Sequence, residues 1–280
     1  MYFVTPAPGF GSLVPPGWMK SLLSVLQNQN TPRNVLLFLI KLILSCPDSF
    51  RPFAKSLLAP LLALVGAGRL AGARVSIDYF TSDLLILLLS WSSHSGVLPD
   101  GCQEEKRSAG RVLSFLMKHI HHERRDILRH NMELLRSVLE LWGPAVQEYV
   151  ELDTVASLLS SGEPGVEGSG VQVLAALLVN RLGDPVRLGE EGFCQAVLGR
   201  LASRHRRVYQ AAAETVGLLL ARLQGEQGAG ARDRVARRLE MAPRVARTRT
   251  GGLILGFSRT GDPPPGCSRC CTPCTCTTPP

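Results

Sequence analysis

The stretch Arg111–Trp142, RVLSFLMKHIHHERRDILRHNMELLRSVLELW, decides the fold class. Its apolar residues recur at helical spacing on both sides of a basic, histidine-rich turn. In the second half, Leu128, Leu135, Leu139 and Trp142 stand at offsets of 7, 11 and 14 residues, which is one stripe of a 3.6-residue helix. Two such helices joined by a short polar turn pack antiparallel. The block therefore predicts a helical hairpin.

The same pattern extends in both directions. Trp18 to Leu26 predicts a first helix. Thr31-Pro32 predicts the start of a second, with a hydroxyl cap followed by proline at the first helical position. Further helices are expected over about Phe50–Val65 and Ile77–Trp91, with the loop Gly66–Arg74 and the linker Ser92–Cys102 between and after them. Gly143-Pro144 is expected to end the helix of Trp142 and start another, up to about Ser160. SGEPGVEGSG, Ser161–Gly170, reads as a flexible loop before a helix over Val171–Leu182. Phe193–Leu201, Val208–Leu223 and Arg232–Glu240 complete the series. About ten helices with short polar turns and no strand signal predict an all-α chain. Pairs stacked in line give an α-solenoid of HEAT/armadillo-like helical hairpins, with a compact bundle as the alternative. The expected divisions are a disordered extension over 1–17, the repeat segment over 18–240, and a disordered Pro/Thr/Cys-rich tail over 241–280.

Composition narrows the class. The chain of 280 residues is 45% hydrophobic and only 6% aromatic, a balance that favours helices over sandwiches. The apolar runs Val35–Leu44 and Leu84–Trp91 fall short of the roughly 20 residues that span a bilayer, so no membrane association is expected. No basic region precedes an apolar core at the N-terminus, which argues against a secretory signal. The net charge of +8 is concentrated, since residues 1–199 sum to −1 and residues 200–249 to +8. Cys46, Cys102 and Cys194 are scattered and make no disulfide framework, which suits a reducing compartment.

Four groups of residues invite a chemical reading. Arg125-Asp126-Ile127-Leu128-Arg129-His130-Asn131 imitates part of a kinase catalytic loop, but no D-F-G, phosphate loop or Lys–Glu pair accompanies it. His119, His121, His122 and His130 straddle a turn beside Arg124 and Arg125, where neighbouring cations disfavour a metal. Cys267, Cys270, Cys271, Cys274 and Cys276 contain two contiguous C-x-x-C steps without the spacing of a zinc finger, and read as low-complexity tail. Arg200, Arg204, Arg206, Arg207, Arg232, Arg234, Arg237 and Arg238 are candidates for anion or nucleic-acid contact, weighed against solvated helix faces. No interleaved aromatics or base-reading motif supports them. No catalytic residue, cofactor, metal ligand or small-molecule substrate is expected.

Four segments carry a family resemblance: TPRNVLLFLIKLIL (31–44), FRPFAKSLLAPLL (50–62), RVLSFLMKHIHHERRDILRHNMELL (111–135) and RVYQAAAETVGLLLARL (207–223). In that order they resemble the middle helical-repeat region of the phosphatidylinositol 3-kinase-related kinases, over about Trp18–Leu223. The resemblance implies a non-catalytic piece of the arm of a large nuclear serine/threonine kinase. That kinase would be recruited by the Ku heterodimer to DNA ends and act in non-homologous end joining. The implied partners are Ku, DNA ends and other parts of the kinase arm. No kinase-head motif is present, so no catalytic residue carries over. The stretches 1–17 and beyond Glu240 depart from the resemblance, and the expectation is a partial or mispredicted gene product. The alternatives are a free-standing HEAT-type adaptor and a basic nucleic-acid-binding helical module.

Overall fold

The computed structural model describes residues 15–72, 76–93, 102–223 and 229–241. These form thirteen α-helices: α1 Gly17–Gln27, α2 Arg33–Ser45, α3 Pro47–Phe50, α4 Ala54–Gly66, α5 Tyr79–Ser93, α6 Gln103–Lys118, α7 Arg125–Val146, α8 Leu152–Leu159, α9 Pro164–Val179, α10 Pro185–Leu188, α11 Glu191–Gly199, α12 Arg206–Arg222 and α13 Ala229–Met241. Short 3-10 turns lie at Arg51–Phe53, Gln147–Tyr149 and Arg200–Ala202. No strand occurs among the described residues.

The helices stack in two layers. In one, α1, α4, α6, α8, α11 and α13 each pack on the next. In the other, α2, α5, α7, α9 and α12 do the same. The hairpins α1–α2, α4–α5, α6–α7, α8–α9 and α11–α12 tie the layers together. This is the expected α-solenoid. One continuous core runs its length, from Met19 and Leu26 through Leu61, Leu113, Leu135 and Trp142 to Leu177, Val216 and Val235. Mid-stack helices touch neighbours on several sides, and their apolar faces are correspondingly broad. In α4 the buried set includes Leu57, Leu58, Leu61, Leu62, Leu64 and Val65. α7 keeps a clean stripe, with Met132, Leu135, Val138, Leu139 and Trp142 inward.

Polar groups join elements at the seams. The indole Nε1 of Trp142 donates to Ser92 Oγ at 2.8 Å, and Ser92 Oγ donates to Leu89 O at 3.0 Å. This buried chain of hydrogen bonds ties the end of α5 to α7. At the other face Trp18 meets Phe50 and Phe53 edge to face, at 6.0 and 5.9 Å between centroids.

Several boundaries differ from the sequence expectations. Thr31 does not cap α2; its hydroxyl donates to Val25 O at 2.7 Å, and Pro32 itself occupies the cap position. The Phe50–Val65 helix is divided, because Pro52 falls in the 3-10 turn Arg51–Phe53 ahead of α4. Gly143-Pro144 does not end α7, which runs on to Val146. The bond that Pro144 cannot donate is owed to the carbonyl of Glu140, an exposed residue whose backbone water can satisfy. Ser161–Gly170 is not a loop throughout, since α9 starts at Pro164, a proline in the first turn. Its glycines serve close packing. A Cβ on Gly170 would lie 2.8 Å from Leu158 Cβ and 3.1 Å from the Leu158–Leu159 backbone, so α8 and α9 approach more closely than alanine permits. The expected extension falls largely outside the described residues, as do the tail beyond Met241, its five clustered cysteines and most of the Ser92–Cys102 linker.

Two glycine substitutions should therefore move stability in opposite directions. Gly170→Ala forces α8 from α9 and should cost about 1–3 kcal/mol despite alanine's better helix propensity. Gly217 in α12 has nothing within 4 Å of a built Cβ, so Gly217→Ala should gain up to about 1 kcal/mol. Denaturant midpoints of the two variants check both signs.

Candidate functional site

The candidate arginines lie on three elements: the 3-10 turn after α11, the start of α12, and α13. Arg200 lies in the 3-10 turn that follows α11, and its guanidinium pairs with Glu167 of α9. Both side chains are largely withdrawn from solvent, at 24% and 10% exposure. Nothing local in the sequence signals Glu167, because the pair forms across 33 residues of chain. A buried pair of this kind is retained for position, and removal of one partner strands the other. Arg200 is therefore a structural residue, and its Nε has no protein acceptor.

Arg204, Arg206 and Arg207 are exposed at the start of α12, after the turn that ends at Ser203. They have no ion pair among the described residues. The first turn of α12 contains no acidic residue, so three cations sit where the helix dipole is itself positive. That concentration of positive charge can receive an anion. Arg232 and Arg237 are exposed on α13, where Arg237 Nε donates to Asp233 O at 3.3 Å. The side chains of Arg234 and Arg238 lie outside the described residues.

The histidine-rich turn proves to be a structural corner. Asn131 Nδ2 donates to Ile120 O at 3.1 Å, pinning the turn to α7. His121 Nδ1 meets Ser169 Oγ at 3.0 Å, which links the corner to α9. The backbone N–H of Arg124 donates to His122 Nδ1 at 3.0 Å. Asp126, the would-be catalytic base of the kinase-like motif, is exposed and paired with Arg124 at 2.6 Å. The hydrogen bonds from Arg124 hold its carboxyl below the usual carboxylate range. Asp126 and Asn131 thus do local structural work in the turn. Among the described residues no group of three or more His, Cys, Asp and Glu side chains is placed to hold a metal ion. No helix of the described residues is long and apolar enough to cross a membrane.

A groove of about 680 Å³ opens between the end of α4, α6 and α8. Arg111, Lys118 and His119 line one part of it and Glu151 and Asp153 another, so it favours neither sign of charge. His119 stacks obliquely on Phe115, with 4.8 Å between centroids. Burial, aided by Lys118, pushes its imidazole below the ordinary 6.5. The folded state thus binds this proton less readily than the unfolded one. Stability from His119 is fully present above 6.5 and is lost as pH falls from there toward the depressed folded value. His119→Gln should flatten the decline in melting temperature below that point. Separately, Glu167→Ala should destabilise the chain by about 1–3 kcal/mol, read from the denaturation midpoint, because it leaves the part-buried Arg200 unpaired.

Comparison with known proteins places the chain in a family. Residues 3–96 match the family model described as DNA-dependent protein kinase catalytic subunit, CC3, and residues 110–245 match DNA-PKcs, CC5. The chain is 36% identical over 211 residues to the DNA-dependent protein kinase catalytic subunit of Xenopus laevis, covering 73% of this chain and 5% of the relative. It is 36% identical over 212 residues to that of Gallus gallus with the same coverage. The Dictyostelium discoideum protein is 26% identical over 228 residues, covering 77% of this chain and 5% of its own length. The chain thus spans about 5% of the length of these curated relatives. The first family match begins at residue 3, inside the stretch read from the sequence as an extension, and the second runs past Glu240 to residue 245. A designed armadillo repeat protein, YIII(Dq)4CqI, superposes with a TM-score of 0.40 at 13% identity, covering 83% of this chain and 98% of that one. Two regional models in succession over most of the described helices, and relatives from frog and bird above 30% identity, agree: the chain belongs to the DNA-dependent protein kinase catalytic subunit family.

Proposed function

We propose that this chain is a non-catalytic scaffold segment of a DNA-dependent protein kinase catalytic subunit, acting in the nucleus in double-strand break repair by non-homologous end joining. The observation that carries this reading is the match of two regional models of one family along a single uninterrupted two-layer stack. Such a stack sets distances and angles between parts of a large protein through its own rigidity. The partners on this reading are the Ku heterodimer, DNA ends and other parts of the kinase arm. Replacing the matching segment of the Xenopus laevis relative with residues 18–240 tests it. The chimera should keep DNA-end-dependent kinase activity and nuclear localisation. A stably folded chimera that no longer responds to Ku and DNA ends would overturn the reading.

A second role is favoured by one observation: Arg204, Arg206 and Arg207 stand exposed and without an ion pair among the described residues at the N-terminus of α12. On this reading they touch phosphates. Binding of the full chain to duplex DNA should weaken steeply with salt. Replacing the three arginines with glutamine should lower the salt slope by about one unit for each phosphate left without its arginine. An unchanged slope in a fluorescence-anisotropy titration would remove the arginines from the interface.

A further inference from the structure

α4 ends at Gly66, level with the middle of α6. A Cβ built on Gly66 would lie 2.8 Å from Arg111 Cβ, so the two helices touch there. α6 runs on past Arg111 to Lys118, about two further turns, with no α4 beside it. α8 flanks the same stretch from the other side, but it is only 8 residues long. The groove of about 680 Å³ is the space that this arrangement leaves. Phe115 and Leu158 supply its apolar lining, and both are otherwise buried. A smaller cavity of about 400 Å³ lies at the start of α5 and α7, but its Asp126 is already neutralised by Arg124.

The two walls of the groove carry opposite charges. On the α6 side Arg111 and Lys118 are exposed and have no ion pair among the described residues. They stand about 10 Å apart along the helix, on the same face. On the α8 side Asp153 is taken up by Arg187 at 2.6 Å. Glu151 is exposed and accepts from Thr154 Oγ1 at 3.3 Å through one oxygen only. The groove thus presents two open cations along one wall and one open carboxylate on the other. A nucleic acid is anionic along its whole length and would set phosphates against Glu151 as well as against α6. A polypeptide helix can carry both signs. It can turn an acidic flank toward α6, a basic flank toward Glu151 and an apolar ridge onto Phe115 and Leu158. Acidic side chains two turns apart on such a helix match the spacing of Arg111 and Lys118.

We propose that the groove between α4, α6 and α8 docks a helix of a partner protein, with acidic side chains on Arg111 and Lys118 and a basic one on Glu151. The test is a fluorescence-anisotropy titration of the full 280-residue chain at neutral pH and low salt. The probe is a labelled alanine-based peptide of about 18 residues, long enough to hold a helix in water. It carries a leucine ridge, glutamates two turns apart on one flank and lysines on the other. It should bind saturably, and more tightly than the same peptide with glutamine at every charged position or with glutamate on both flanks. Replacing Arg111 and Lys118 together with alanine should weaken it about tenfold, as expected for two exposed ion pairs. Glu151→Gln should weaken it about threefold. All three side chains are exposed, so helical circular dichroism should be unchanged. Should the double variant lose it, Glu151→Gln on the opposite wall carries the test alone. Absence of saturation, equal affinity for the uncharged peptide, or indifference to the folded variants would overturn the proposal. Tighter binding of the all-glutamate peptide, or its displacement by an equimolar DNA duplex, would overturn it in favour of a general anion surface.

Discussion

No hairpin in this chain can cover its own apolar surface, and everything else follows from that constraint. α4 buries Leu57, Leu58, Leu61, Leu62, Leu64 and Val65, a spread too wide for a single partner. It is satisfied only because α1 and α6 flank it in one layer while α5 pairs with it from the other. The same holds at α7, α8 and α9. Each helix therefore fixes the position of the next, and close approach becomes a requirement at the tightest seams. Gly66 against Arg111, Gly110 against Tyr149 and Gly170 against Leu158 are among the places where even a methyl group is too much.

The polar groups buried in this structure are consistent with that role. Trp142 with Ser92 and Glu167 with Arg200 join elements distant in sequence, and Asn131 with Ile120 ties the turn after α6 to α7. Each fixes one element of the stack against another. Residues that look chemical in the sequence, such as Asp126 and the corner histidines, turn out to be structural parts of a bend. The exposed apolar stripe of α2, formed by Val35, Phe38 and Leu42 at spacings of three and four, shows the same architecture from outside.

Helical periodicity made the architecture legible, because apolar stripes at 3.6-residue spacing follow directly from burial on one or two sides. The family could be read from four segments in order. Boundaries were less accessible where a residue's usual local preference gave way to packing. Gly143-Pro144 reads as a terminator, yet α7 continues because the missing bond falls on the solvent side. The glycines of Ser161–Gly170 read as a flexible loop, yet several lie within α9 and admit neighbouring side chains, with Gly165 beside His121 and Gly170 beside Leu158. Among the candidate arginines, sequence alone could not separate Arg200 from Arg204, since the difference is made by Glu167 on a neighbouring hairpin. The cavity at α5 and α7 was equally hidden, because residues far apart in sequence, Asp78 and Asn131 among them, line it together.

The order in which helices touch along the stack has a kinetic consequence. Helices that pack together are near one another in the chain, with α6 packed on α4, α5's partner, and α9 on both α8 and α12. Loop-closure entropy for such pairings is small, and structures of low contact order form rapidly. Each completed hairpin also presents the apolar face on which the following one condenses. A segment built this way can assemble in sequence as it leaves the ribosome, each hairpin completing the surface left open by the one before.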